Sequence, residues 1–158
     1  MAEEVKNISL SSKKSFTIDG DNSRVIWLDL SDMNLLVRLN EIYPDIRKLA
    51  ADAGDRMSKA KTVDPEDISS INDISEILKD IDKQMREKLN YIFASDVADA
   101  CEPTGNMYDM VNGEYRFEHI IDVLSQLYAN NITAEYRKMQ ERVRKHTAKY
   151  TANNKRKK

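Results

Sequence analysis

At 158 residues and 18.2 kDa the chain has the length of one domain with room for a tail, and 41% apolar against 33% charged residues allows a real but modest core. Four glycines, three prolines and one cysteine exclude an all-β sandwich or barrel, Gly-rich phosphate loops, an intramolecular disulfide and a multi-cysteine metal site. The acidic start Met1-Ala2-Glu3-Glu4, with no apolar segment behind it and no run near the ~18 residues of a membrane span, predicts a soluble protein of a reducing interior.

In chain order, residues 1–13 are polar and read as a mobile arm. Phe16 and Ile18 alternate with polar neighbours, Asp19-Gly20-Asp21-Asn22-Ser23 is dense in turn formers, and Val25-Ile26-Trp27-Leu28 is β-branched and aromatic. This pattern predicts a β-hairpin over 15–29, which is marginal alone and must lie on a helix or add to another sheet.

Ser31 is placed to cap a first helix, with Asp32 in its first turn. Leu35, Leu36, Leu39, Ile42, Tyr43, Ile46 and Leu49 then recur at spacings of three and four. Pro44 is expected to kink or split that helix, and Gly54 to end or weaken it. Asp64-Pro65-Glu66-Asp67 reads as the next start, a capping Asp followed by Pro at the first helical position. From there Ile68, Ile71, Ile74, Leu78, Ile81, Met85, Leu89, Ile92 and Phe93 give the longest regular stripe, running towards about Asp99.

Cys101 to Glu114 reads as one long loop. Phe117, Ile120, Ile121, Leu124, Leu127 and Tyr128 form another helical stripe. Asn130-Asn131 is expected to break it, with Thr133 capping a last helix whose apolar side carries Ile132, Tyr136, Met139 and Val143. The expected fold is mainly α: a helical bundle of about four helices with a small N-terminal β-hairpin, one domain over 14–150, and a flexible basic tail over 151–158.

Charge divides the chain. Residues 137–158 hold ten bases against Glu141 alone, whereas residues 1–136 hold 15 bases and 26 acids. Arg142, Arg144, Lys145, Lys149, Lys155, Arg156, Lys157 and Lys158 form the candidate basic patch. Opposite ends allow the protein to bind an acidic surface, to pair end to end with itself, or to hold nucleic acid weakly, salt-sensitively and without sequence preference.

Chemistry is sparse. His119 and His146 have no second ligand at metal spacing. Asp96, Asp99 and Glu102 recur every three residues with Asp109 beyond, but no EF-hand loop accompanies them, and an acidic helix end explains them better than a cation site. Cys101 has no nucleophile signature around it and reads as a packed thiol. No phosphate loop, dinucleotide fingerprint or Gly-x-Ser-x-Gly elbow is present. No catalytic residue, cofactor or metal is therefore expected. The stripe residues Leu78, Ile81, Met85, Leu89 and Ile92 are instead the candidates for binding a protein partner, because the apolar stripes look generous for so small a chain.

Phe16-Thr17-Ile18-Asp19-Gly20 with Arg24-Val25-Ile26, the Asp29/Ser31-Asp32 helix entry, Lys88-Leu89-Asn90-Tyr91-Ile92-Phe93, the loop from Cys101 to Gly113, Phe117-Glu118-His119-Ile120-Ile121 and Lys149-Tyr150-Thr151 together resemble a phage tail assembly chaperone over roughly residues 14–151. The resemblance is one of layout and carries no binding residue across. It implies a helical, non-enzymatic protein of the host cell cytoplasm. Such a protein associates with the tail tape measure protein, helps recruit the tail tube protein during assembly, and is absent from the finished tail. Two other expectations stand beside it: a nucleic-acid-associated regulatory or structural phage protein acting through the basic end, and a structural virion component.

Overall fold

The computed structural model describes residues 3–59 and 66–156, and is mainly helical with a small β-hairpin at its start. Residues 3–13 form no regular element and are exposed. Strands β1 (Lys14–Ile18) and β2 (Asp21–Leu28) pair antiparallel around Asp19-Gly20, both at positive φ, which suits a two-residue turn matching the strand twist. The second strand therefore starts three residues before the predicted Arg24. Asn22 and Ser23 belong to it rather than to the turn, and an irregularity at Thr17/Ile18 absorbs the extra residues. Ile26 and Leu28 face inward and are buried, while Val25 and Trp27 on the other face are exposed, as a period of two requires.

Helix α1 (Asn34–Lys59) starts later than the predicted Ser31. Asp32 carries the entry instead, its Oδ1 accepting from the Asn34 N–H at 2.9 Å. Ser31 is occupied by Asp29, whose Oδ1 accepts from both the Ser31 hydroxyl and its N–H. Pro44 does not split the helix and Gly54 does not end it. Ile46, Leu49 and Ala53 are buried beyond the proline, and their packing outweighs one lost backbone hydrogen bond.

The predicted start at Asp64-Pro65 lies outside the described residues. Helix α2 (Ile68–Phe93) is capped by Asp67, whose side chain accepts from the Ser69 N–H at 3.0 Å. It ends at Phe93 rather than near Asp99, because Ala94 turns left-handed (φ 49°) and its N–H reaches back to the carbonyls of Asn90 and Tyr91. Asn90 Oδ1 then accepts from the N–H groups of Val97 and Ala98, and so starts the short helix α3 (Ala98–Cys101).

The long loop contains a second hairpin, β3 (Met110–Val111) and β4 (Glu114–Tyr115), turning at Asn112-Gly113 with both residues at positive φ. Helix α4 follows without a break from Arg116 to Arg156, 41 residues and about 60 Å long. The expected break at Asn130-Asn131 and the cap at Thr133 are both corrected. The Asn131 side chain donates to the Leu30 carbonyl, and the Thr133 hydroxyl bonds the Ala129 carbonyl one turn back, as a mid-helix threonine does. The predicted flexible tail is helical as far as Arg156; Lys157 and Lys158 lie outside the described residues.

Arg38 meets the Ile92 carbonyl, Glu41 meets Tyr91 and Arg56 meets Asp80, so α1 and α2 run antiparallel. Asp82 of α2 binds the Met107 N–H, and Phe117 at the start of α4 donates to the Met107 carbonyl; the Phe93 ring at the end of α2 packs tilted against Tyr128 at 6.1 Å. Helix α4 therefore runs with α2. The core lies between these three helices and the inner face of β2.

Candidate functional site

The partner-binding stripe proposed from sequence is spent inside the chain. Ile81, Met85, Leu89 and Ile92 are at most 1% exposed, and Leu78 is half-buried against them. They form the spine of the chain's own core, so the folded protein does not present them to another molecule. The stripe's regularity comes from one helix being covered by α1 and α4 together.

The acidic and sulfur-bearing candidates are also taken up internally. Asp99 Oδ1 pairs with Arg86 at 3.0 Å, while Glu102 offers one oxygen to the Gly105 N–H at 2.9 Å and the other lies 3.0 Å from Arg116 Nε. Asp109 accepts from the Asn106 N–H and Asp96 lies within reach of the Asn90 side chain. Among the described residues no group of three or more His, Cys, Asp or Glu is arranged to hold a metal ion. Burial pushes the Cys101 thiol up to about 11, opposite to what an activated nucleophile needs. His119 holds Glu114 through Nδ1 at 2.9 Å. His146 is exposed on α4.

What remains unpartnered is the second half of α4. Among the described residues its last tertiary hydrogen bond is Asn131 to Leu30, and every residue from 133 to 156 is exposed, an arm of about 36 Å at 1.5 Å per residue. Ile132, Tyr136, Met139, Val143, His146 and Tyr150 fall on one side of it at steps of four, three, four, three and four. Tyr136, Val143 and Tyr150 are each more than half exposed. Arg142 and Lys149, seven residues apart, edge this seam, whereas Arg137, Lys138, Arg144 and Lys145 face away from it. Among the described residues none of Arg142, Arg144, Lys145, Lys149, Lys155 and Arg156 has a carboxylate within ion-pair distance, while Lys138 pairs with Glu135 at 3.0 Å.

A groove of about 400 Å³ runs beside the first half of α4. Leu39, Tyr43, Ile46 and Ala50 of α1 line one wall with Arg47, and Tyr115, Phe117 and Ile121 the other, with Glu114, Glu118 and Asp122 along the α4 rim. The second hairpin places Glu114 and Tyr115 there, and the Tyr115 ring stacks on Phe117 at 5.5 Å. In place of the single loop expected over 101–114, the hairpin supplies this wall, and the Asn112-Gly113 dipeptide is the signal for it in the sequence. The sequence did identify the arm's apolar side, through Ile132, Tyr136, Met139 and Val143, but assigned the partner to the stripe that became core.

No protein-family model, curated protein or solved structure matches this chain. No described helix is long and apolar enough to cross a membrane.

Proposed function

We propose that this chain is a non-catalytic binding protein of the phage tail assembly chaperone type. It engages an apolar helix of the tail tape measure protein, and through it the tail tube protein, in the host cytoplasm during assembly. The observation that carries the reading is the α4 arm, a helix that stays exposed over its whole second half yet keeps an apolar seam at coiled-coil spacing. A solvated spacer helix gains nothing from such a seam, whereas a client helix laid along it covers apolar area on both chains at ~25 cal/mol per Å². Binding by mass action shields the client without ATP. The layout resemblance supplies the identity of the client.

Co-expression with an adjacent long helical tape-measure-type product tests this. The full chain is expected to keep that product soluble and to co-purify with it at low salt, and the Val143→Glu variant to lose it. A client that stays equally soluble without the chain, or with Val143→Glu, contradicts the reading.

A nucleic-acid role is the second reading, favoured by one observation: Arg137, Arg144 and Lys145 point away from the seam and lack carboxylate partners among the described residues. Fluorescence anisotropy with random duplex and single strand across a salt series decides it. Micromolar binding with a steep salt slope, lost when these bases are neutralised, supports that role.

A further inference from the structure

The free protein itself offers a surface that fits the arm. The groove between α1 and α4 has an apolar floor, and its seam Leu39, Tyr43, Ile46 and Ala50 steps by four, three and four. The arm's Met139, Val143, His146 and Tyr150 step identically. Charge is complementary as well. Glu114, Glu118 and Asp122 border the groove and outnumber its one base, Arg47, which lies over the Tyr43 ring, while Arg142 and Lys149 border the arm's seam. Arg116, at the same end of α4, is already held beside Glu102.

The arm cannot fill this groove on its own molecule. Helix α4 is continuous from Arg116 to Arg156, so its second half points away from the groove that its first half builds. We propose that the occupant is a second copy of this chain, with its α4 arm lying antiparallel along the α1/α4 groove. Antiparallel pairing sets the acidic-rimmed half of one α4 against the basic half of the other; parallel pairing would set bases on bases. The arrangement is its own mirror in exchange: when one arm enters the partner's groove, the partner's arm enters the first groove. Two copies thus close into a two-fold pair with both seams covered. The inference concerns the free protein and stands or falls without the tail-assembly reading.

Sedimentation equilibrium of the full chain at about 0.05 M salt is expected to give twice the 18.2 kDa chain mass, with the dissociation constant rising about tenfold or more by about 0.5 M salt. Val143→Glu on the arm and Tyr43→Glu in the groove each change a side chain that is more than half exposed, so folding is retained, and each is expected to give monomer. Far-UV circular dichroism melts confirm that retention.

Charge reversal tests the orientation. Glu114→Lys with Asp122→Lys makes both surfaces basic, and Arg142→Glu with Lys149→Glu makes both acidic. Each doubly changed chain is expected to be monomeric alone, and an equimolar mixture to restore a pair. Three outcomes overturn the proposal. The first is a wild-type monomer up to about 100 μM at low salt. The second is a pair indifferent to both Val143→Glu and Tyr43→Glu. The third is a mixture of the reversed chains that stays monomeric.

Discussion

Three half-buried arginines add hydrogen bonds between elements that also share the apolar core. Arg24 donates from the hairpin to the carbonyls of Ala100 and Cys101 at 2.7 and 2.9 Å. Arg38 joins the start of α1 to the Ile92 carbonyl at 2.8 Å and to Asp32. Arg86 reaches Asp82, Asp99 and the carbonyls of Glu102 and Gly105. Its guanidinium spreads five donors in a rigid fork, which suits a site where α2, α3 and the following loop converge. Replacing Arg86 by Met removes these bonds and leaves Asp82 and two carbonyls short of a donor. The expected cost is about 2–4 kcal/mol in urea unfolding. An unchanged midpoint would show that the loop is held by its other bonds.

Two further residues give opposite tests. Ala94 is exposed and left-handed at the α2 C-cap, a conformation in which glycine carries no Cβ penalty. Ala94→Gly is expected to raise stability by about 0.5–1 kcal/mol, whereas a left-handed position of no consequence would show a loss. Cys101 is buried enough to raise its thiol to about 11. Its contribution to stability is therefore complete below the unfolded thiol value near ~8.5 and is lost as pH climbs through the folded value. At about pH 8 the native thiol is expected to react with iodoacetamide on the order of a hundredfold more slowly than the unfolded chain. Equal rates would place the thiol in open solvent.

At the scale of elements, the parts legible from sequence are those set by local periodicity. The N-terminal hairpin, the stripes of α1 and α2, and the stripe from Phe117 to Tyr128 follow from spacing alone. Boundaries were less legible, because each candidate signal had a competing use. Asn131 reads as a breaker until its side chain is seen to satisfy the Leu30 carbonyl, a partner 101 residues away in sequence. Thr133 reads as a cap, yet its hydroxyl can equally bond one turn back, and only the continuation of the backbone decides between them. The start expected at Asp64 lies outside the described residues, and the described helix is capped by Asp67. Pro44 shows that a strong local signal yields when several apolar side chains are buried beyond it.

The division of α4 at Asn131 also makes a prediction. Its inward residues end at Tyr128, so ending the chain after Ile132 removes no buried side chain. That shortened protein is expected to keep its unfolding free energy, read from urea unfolding, within about 1 kcal/mol of the full chain measured at high dilution. A much larger loss would mean that the arm supports the body directly.

For the molecule as a whole, the allocation of apolar surface is the central fact. Composition implies stripes that exceed what one small chain can cover, and the sequence points to the α2 stripe as the surplus. Instead α1, α4 and β2 together enclose α2, because two long helices and a hairpin can surround a third. The surplus lies on the arm, which no other element among the described residues covers. This could not be read from periodicity, which reports that a face is apolar but not what covers it. Charge followed the same division: the basic residues gather on the arm, and acids rim the groove beside the body.

The account therefore rests on the arm gaining its burial from another chain. Hydrogen–deuterium exchange followed by mass spectrometry on the full protein, over a concentration series from about 1 to about 100 μM, measures this directly. The account predicts that amides of 133–156 become protected as concentration rises, while those of 81–93 stay protected throughout. Arm amides that exchange at one rate across the series, or arm and core protected equally at the lowest concentration, would contradict it.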